Sequence, residues 1–285
     1  MRRTLETALL TALALIAFAG NSVLCRLALG ARTIDAASFT LVRIAAGAAS
    51  LGLLRIVTRP RGSPRHDPLA PLLLFAYAGA FSFAYRSLNA GTGALILFGA
   101  VQVTMLIAAL RAAERPRPVE LAGLAIALAG LVYLVAPGLH APSPVGAALM
   151  ATAGMAWGIY SVRGRRSRAP LADTAWNFAW ALPVTALATA ADFREFHLTA
   201  PGAGWAVLSG AVTSGLGYVV WYAALGRLAT VRAATVQLAV PVLAALGGVA
   251  FLSEHVTLRL LVAALLILGG IGVTLWARVL PRTTR

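Results

Sequence analysis

Asn21, Arg43, Gln102 and Gln237 are polar side chains that stand well inside long apolar stretches of this 285-residue sequence. A polar group in hydrocarbon is costly, so such residues usually face a protein interior or a wet cavity. The three amides lie near the centres of their stretches, where each can donate to and accept from a zwitterionic or amide-bearing solute. Hydrogen bonding between helices is the other use open to them. Arg43 is off-centre, suited to attracting a carboxylate, to clamping helix carbonyls, or to snorkelling outward along its stem. Aromatic residues recur at helical spacing nearby. Tyr77, Phe81 and Tyr85 share one face, as do Trp157 and Tyr160, Trp176 and Trp180, and Tyr218, Trp221 and Tyr222. Rings lining a cavity would accept apolar or aromatic groups and stack on cations, whereas rings at span ends would form an interfacial belt.

The residues that are missing from these stretches narrow the chemistry. All nine acidic residues map to span ends or connections, Glu114, Asp173 and Glu254 among them. A proton-coupled carrier usually buries a carboxylate or His in its path, so uncoupled transport is favoured, with Glu114 or Asp173 left as peripheral titrating groups. There is no Lys for a Schiff base, and the four His residues fall in or beside connections. The single Cys25 excludes an internal disulfide or a multi-thiolate metal site. No metal or cofactor is expected. An intramembrane enzyme would need a deep acid, base, nucleophile or metal cluster, so catalysis is not expected either.

The stretches that hold these residues number ten: 8–30, 35–57, 70–88, 91–111, 118–136, 144–163, 172–191, 203–226, 229–251 and 256–280. Each is about the length that crosses a ~30 Å hydrocarbon core. Sixty percent of the chain is apolar and 12% is charged, against roughly 25% charged in soluble domains. Lipid leaves open backbone groups unsatisfied and the runs lack strand alternation, so all ten should be helices. The net charge is +15, and all 24 basic residues are Arg, which fits a GC-rich coding sequence. Eighteen of the 24 Arg fall at one set of span ends, including Arg2, Arg55, Arg111, Arg165 and Arg285, and five at the other, with Arg43 inside a span. That is the positive-inside pattern, with both termini cytoplasmic. A basic nucleic-acid face would cluster its charge instead. Arg2, Arg3 and Ala17-Phe18-Ala19 have the look of a secretory signal, but the apolar run continues to Leu29 and is read as the first span.

The chain also repeats itself. Tyr85 and Leu88 match Tyr222 and Leu225, then Glu114, Leu121 and Gly130 match Glu254, Leu261 and Gly270, and upstream Gly20 matches Gly158. Five spans per unit is an odd number, so the second copy must be inverted. The expected units are 1–140 and 141–285, an arrangement that places a transporter's substrate site near the midplane at the repeat interface. Gly91, Gly93, Gly99, Gly123, Gly130, Gly269, Gly270 and Gly272 permit close helix approach. Pro183 and Pro241 lie inside spans and can kink them.

Arg43 in span two, Trp157-Gly158 in span six, Pro241 in span nine, and Glu114 and Glu254 ahead of the Gly-rich spans five and ten resemble the drug/metabolite transporter superfamily, specifically its EamA-like branch. The likeness covers nearly the whole chain. It implies an all-α integral membrane protein of ten helices in two inverted repeats, in a bacterial inner membrane, with a central cavity and small metabolites such as amino acids as exported substrate. Uptake of a vitamin or nucleobase, or multidrug export, are the alternatives, and a non-transporting scaffold is a third class. Because the resemblance places an Arg at position 43 irrespective of substrate, it favours a structural role there. Two departures concern the substrate: Phe18-Ala19-Gly20-Asn21 stands where the family usually has a Trp in span one, and Val101-Gln102 replaces the Pro that would mirror Pro241. The expected binding set is Asn21, Tyr77, Phe81, Gln102, Trp157, Tyr160, Tyr218, Trp221 and Gln237. Arg43, Pro241, Glu114 and Glu254 are expected to act structurally or electrostatically. The expected partners are lipid and a small molecule; oligomeric state is not legible.

Overall fold

Local capping starts several of the helices. The Asp35 carboxylate accepts the Ser38 N–H at 2.8 Å, and the Ser143 and Thr199 hydroxyls accept the Gly146 and Gly202 N–H groups at 3.3 Å, each meeting a donor that the first helical turn leaves open. The computed structural model describes residues 2–60, 62–111, 118–136, 141–165, 167–191, 196–228, 236–237 and 239–279. Among them are ten helices: α1 (Arg2–Gly30), α2 (Ala36–Thr58), α3 (Leu69–Ala84), α4 (Ala90–Arg111), α5 (Pro118–Val135), α6 (Pro144–Gly164), α7 (Pro170–Ala191), α8 (Ala200–Leu225), α9 (Ala239–Leu252) and α10 (Leu258–Val279). One isolated β-bridge, Ile34 to Leu198, is the extended pairing among the described residues. Five helices, α1, α2, α4, α6 and α8, contain segments long and apolar enough to cross a membrane, and α3, α5, α9 and α10 carry shorter apolar runs.

The structure departs from the sequence reading in α3 and in α8. Helix α3 stops at Ala84 rather than Leu88, because the Arg86 and Ser87 N–H groups turn back onto the Phe83 and Ala84 carbonyls. Helix α8 is not regular: Ser209–Leu216 winds as a π-helix. The wider turn buries Ser209, Gly210, Thr213, Ser214 and Gly215 on one side, and such segments are frequent at functional sites. Residues 229–235, expected to open the ninth span, and Glu114 lie outside the described residues.

Connections gather at two ends. At one, Asp67 between α2 and α3 binds Arg163 of α6, the Arg65 N–H binds Asp173 of α7, and Arg227 after α8 pairs with Glu6 of α1. At the other, Asp35 meets the His197 N–H at 3.0 Å, Arg26 pairs with Glu254, and Arg259 caps the end of α5 through the Tyr133 and Ala136 carbonyls. The helices therefore run alternately up and down.

Apolar burial cannot drive helix association in lipid, so close packing of small residues has to. A Cβ at Gly210 of α8 would overlap the Arg43 carbonyl of α2, and one at Gly47 of α2 would overlap the Phe178 ring of α7. Likewise Gly154 of α6 lies on the Leu97 carbonyl of α4. These approaches hold α2, α7 and α8 together, and they set Arg43 directly against the π segment.

Candidate functional site

The side chain that organises the interior is Arg43, only 1% exposed. Its Nε donates to Ser214 Oγ at 3.0 Å, and its Nη2 donates to the Tyr77 and Tyr218 hydroxyls at 3.2 and 3.3 Å. The guanidinium carbon lies 5.2 Å from the Tyr77 ring centre and 5.1 Å from that of Phe81, within cation–π range. Arg43 thus binds side-chain hydroxyls on α3 and α8. It neither clamps helix carbonyls nor snorkels outward, because packing on all sides closes off a route to the surface.

A second polar group joins the first. Asn21 Nδ2 donates to the Tyr77 hydroxyl at 3.4 Å, while its Oδ1 accepts from Ser209 at 2.7 Å and Thr213 at 3.2 Å. Around these groups the rings close up. Trp157 packs on Tyr218 at 4.7 Å and Tyr77 at 5.1 Å between centres, and Phe18 touches Trp157 and Trp221 at 5.6 Å. Tyr160 extends the cluster from Trp157 at 5.6 Å and accepts from Asn177 Nδ2 at 3.0 Å. Of the expected set, Asn21, Tyr77, Phe81, Trp157, Tyr160, Tyr218 and Trp221 therefore meet in one buried cluster.

The remaining members sit differently. Gln102 is half-buried on α4, and Gln237 is fully buried in the turn ahead of α9. The hydrogen bonds of Arg43 and Asn21 run to Ser214, Tyr77, Tyr218, Ser209 and Thr213. Helix α4 packs on α6 and α9 rather than α2, which keeps Gln102 off that network. Trp180 is 53% exposed, so the Trp176–Trp180 face turns outward, and Trp176 packs on His66 at 4.4 Å. Sequence reasoning passed over Ser209, Thr213 and Ser214, since small hydroxyls in helices commonly bond their own backbone, and it passed over Asn177, which lies nearer the end of its span. The run Ser209-Gly210, then Thr213-Ser214-Gly215, was the available signal.

Both ends of the bundle carry charged closures. Glu254 accepts the Ala90 N–H at the start of α4, at 2.9 Å through Oε2, and the Arg26 Nε at 3.2 Å through Oε1. Arg26 also donates to the Tyr85 carbonyl at 3.2 Å. This knot ties α1, the α3–α4 turn and the α9–α10 connection beside a small pocket of about 220 Å³ that Asn89, Ser143 and His255 help to line. At the opposite end a cleft of about 890 Å³ opens between α1, the end of α8 and Val236, with Thr11 and Leu15 in its wall. Leu15 is one helical turn from Phe18, so the cleft approaches the aromatic cluster. Between α2 and α3, the hydrogen bonds from Arg163 at 2.6 and 2.8 Å hold the Asp67 carboxyl below the usual carboxylate range despite partial burial. At Asp35 burial pushes upward, but hydrogen bonds from the His197 and Ser38 amides outweigh it and the carboxyl is again lowered. Among the described residues no group of three His, Cys, Asp or Glu could hold a metal ion.

A model of the EamA-like transporter family matches residues 144–276. An uncharacterised protein of Pseudomonas aeruginosa is 50% identical over 278 residues, which cover 97% of this chain and 96% of that one. The chain belongs to the EamA-like transporter family. A probable amino-acid metabolite efflux pump of Salmonella typhimurium is 27% identical to this EamA-like chain, over 76% of it and 81% of the pump. A protein of known crystal structure shares its fold, with a TM-score of 0.67 at 23% identity over 92% of this chain and 98% of that one. As an EamA-like transporter with several long apolar helices, the protein is a multi-pass membrane protein that acts on a small molecule.

Proposed function

We propose that this chain is a ten-span secondary carrier of the bacterial inner membrane that exports amino acids or related metabolites by alternating access. The observation that carries the reading is the cluster around Arg43, where Asn21, Tyr77, Trp157 and Tyr218 bring hydroxyl, amide and aromatic groups together from five helices, α1, α2, α3, α6 and α8. Those helices come from both units, 1–140 and 141–285. Their packing supports an inverted repeat: exchanging each helix for the one five places along turns α3 on α6 into α8 on α1, α4 on α6 into α9 on α1, and α2 on α8 into α7 on α3, all of which are packed pairs. The excess of Arg at the Asp67 end argues that this end is cytoplasmic. With the Glu254 end tied and a cleft at the other, the conformation fits a carrier awaiting solute from the cytoplasm. Gln102 and Gln237 are assigned to the chamber walls that a moving solute reaches in another conformation. The amino-acid substrate follows the Salmonella relative, a probable amino-acid metabolite efflux pump.

Counterflow in proteoliposomes with a panel of amino acids, vitamins and cationic dyes tests this. Exchange of amino acids, reduced by Tyr77→Ala or Trp157→Ala at unchanged expression, is expected. Exchange confined to vitamins or dyes overturns the substrate, and no flux with any solute overturns the carrier. For orientation, cysteines placed at Arg65 or Arg165 after Cys25 is replaced should resist an impermeant label applied from outside, while Asn89→Cys should react.

A further inference from the structure

Arg43 has more donors than the protein has acceptors for it. A guanidinium offers five N–H groups and keeps its charge in proteins. Nε and Nη2 are engaged by Ser214, Tyr77 and Tyr218, but Nη1 is buried with no hydrogen-bond partner. No Asp or Glu among the described residues pairs with Arg43, so its charge has hydroxyls and ring faces around it and no anion. The same cluster holds a second buried donor without an acceptor, Trp221 Nε1, and Trp221 touches the Phe18 ring that also meets Tyr218 at 6.0 Å. A buried cation without a counter-ion is unfavourable unless something supplies the charge, and a purely structural brace would be better built from a neutral amide. The surroundings are also balanced about Arg43 in a telling way. Tyr77 and Phe81 on α3 stand 137 residues before Ser214 and Tyr218 on α8, the same separation as Tyr85 from Tyr222. One Arg on α2 therefore bridges corresponding positions of α3 and α8, and among the described residues no second Arg answers it in the cluster.

From these observations we propose that Arg43 is the anchor for a carboxylate of the transported solute, received by Nη1, with the Trp221 indole N–H as a further donor in the same cluster. The solute is then a carboxylate-bearing molecule whose side chain lies against Phe18, Trp157 and Tyr218. This assignment rests on the carrier reading and specifies which end of the solute the chamber recognises. It predicts discrimination between two solutes that differ only in their charge at that end.

The test uses L-leucine and L-phenylalanine against L-leucinamide and L-phenylalaninamide, measured by counterflow with the full chain in proteoliposomes and by ligand-induced change in melting temperature. Wild type is expected to prefer each acid over its amide by tenfold or more. Arg43→Gln should bring that ratio to near one, and Arg43→Lys, which keeps the charge but loses the fork, should retain part of it. A brace role would lower the melting temperature of Arg43→Gln without moving the ratio, and that result overturns the proposal. Should Arg43→Gln fail to fold, the comparison on wild type and Arg43→Lys still decides, because equal handling of acid and amide by wild type overturns the anchor while leaving a carrier. Transport and binding of neither class overturns the anchor and the amino-acid reading together.

Discussion

Gly130 and Gly270 lie against each other's helices in reciprocal positions. A Cβ on Gly130 of α5 would come within 3.0 Å of the Ile267 nitrogen on α10, and a Cβ on Gly270 of α10 would come within 2.6 Å of the Ala127 nitrogen on α5. Each contact is one turn back along the partner, so the pair obeys a local two-fold relation, as expected of an isologous interface. In each half of the sequence a Glu stands 16 residues before this Gly, Glu114 before Gly130 and Glu254 before Gly270.

Gly130→Ala and Gly270→Ala are therefore expected to destabilise the protein to similar extents, by ~1–3 kcal/mol each, because the Leu266 Cβ with the Ile267 backbone blocks the first methyl and the Gly123 and Ala127 backbone blocks the second. Gly52→Ala is the control, since nothing lies within 4 Å of a Cβ there, and it should be neutral or gain up to ~1 kcal/mol from helix propensity. Melting in detergent checks all three, and a large inequality between the first two would mean that the reciprocal packing does not carry equal weight.

Opening of the Glu254 end has a native reporter. Cys25 is fully buried and adjoins Arg26. Wild type should react slowly with an impermeant maleimide, and Glu254→Gln, which breaks the ion pair while leaving an oxygen for the Ala90 N–H, should react several-fold faster. Unchanged labelling would assign Glu254 to capping α4 alone.

Asn21 ties α1 to the π segment through Ser209 and Thr213. Asn21→Leu should cost ~0.6–1.7 kcal/mol, the range measured for polar contacts between helices in membranes, yet slow transport much more than that loss of stability would suggest. Flux that falls only in proportion to the folded fraction would reduce Asn21 to a packing contact.

The Asp67 carboxyl titrates lower in the folded protein than in the unfolded chain because Arg163 binds its charged form. Its contribution is complete above the ordinary carboxylate pKa of about 4 and is lost as pH falls through the lower, folded value. Wild type should melt above Asp67→Asn at pH 7, by at most the ~1 kcal/mol of a partly exposed pair, and the two curves should converge below about pH 4. A gap that stays constant with pH would place the effect in shape rather than charge.

Several features of the site were legible before folding. Asn21, Tyr77, Trp157 and Tyr218 stood out because a polar or bulky aromatic group in an apolar stretch has few inexpensive positions. The roles of Arg43 and the α8 hydroxyls were not legible. Whether Arg43 reaches carbonyls, lipid or a neighbouring side chain depends on what stands opposite it, and its partners at Ser214 and Tyr218 are 171 and 175 residues away in sequence. Trp176 and Trp180 illustrate the converse, since a shared helix face can be read from spacing but its direction cannot.

By itself the sequence determined the class of protein, the approximate helices and the alternation of charge between their ends. These follow from local quantities, namely the transfer cost of each segment into hydrocarbon, the caps at Asp35, Ser143 and Thr199, and the Arg count of each connection. Only the tertiary structure decided which polar groups meet, because that depends on the rotation and separation of packed helices. A glycine such as Gly210, at which α8 touches the Arg43 backbone, fixes that separation through the absence of a side chain. The π segment adds an offset to α8 that periodicity does not foresee, and Ser209, Thr213 and Ser214, which reach Asn21 and Arg43, all lie within it.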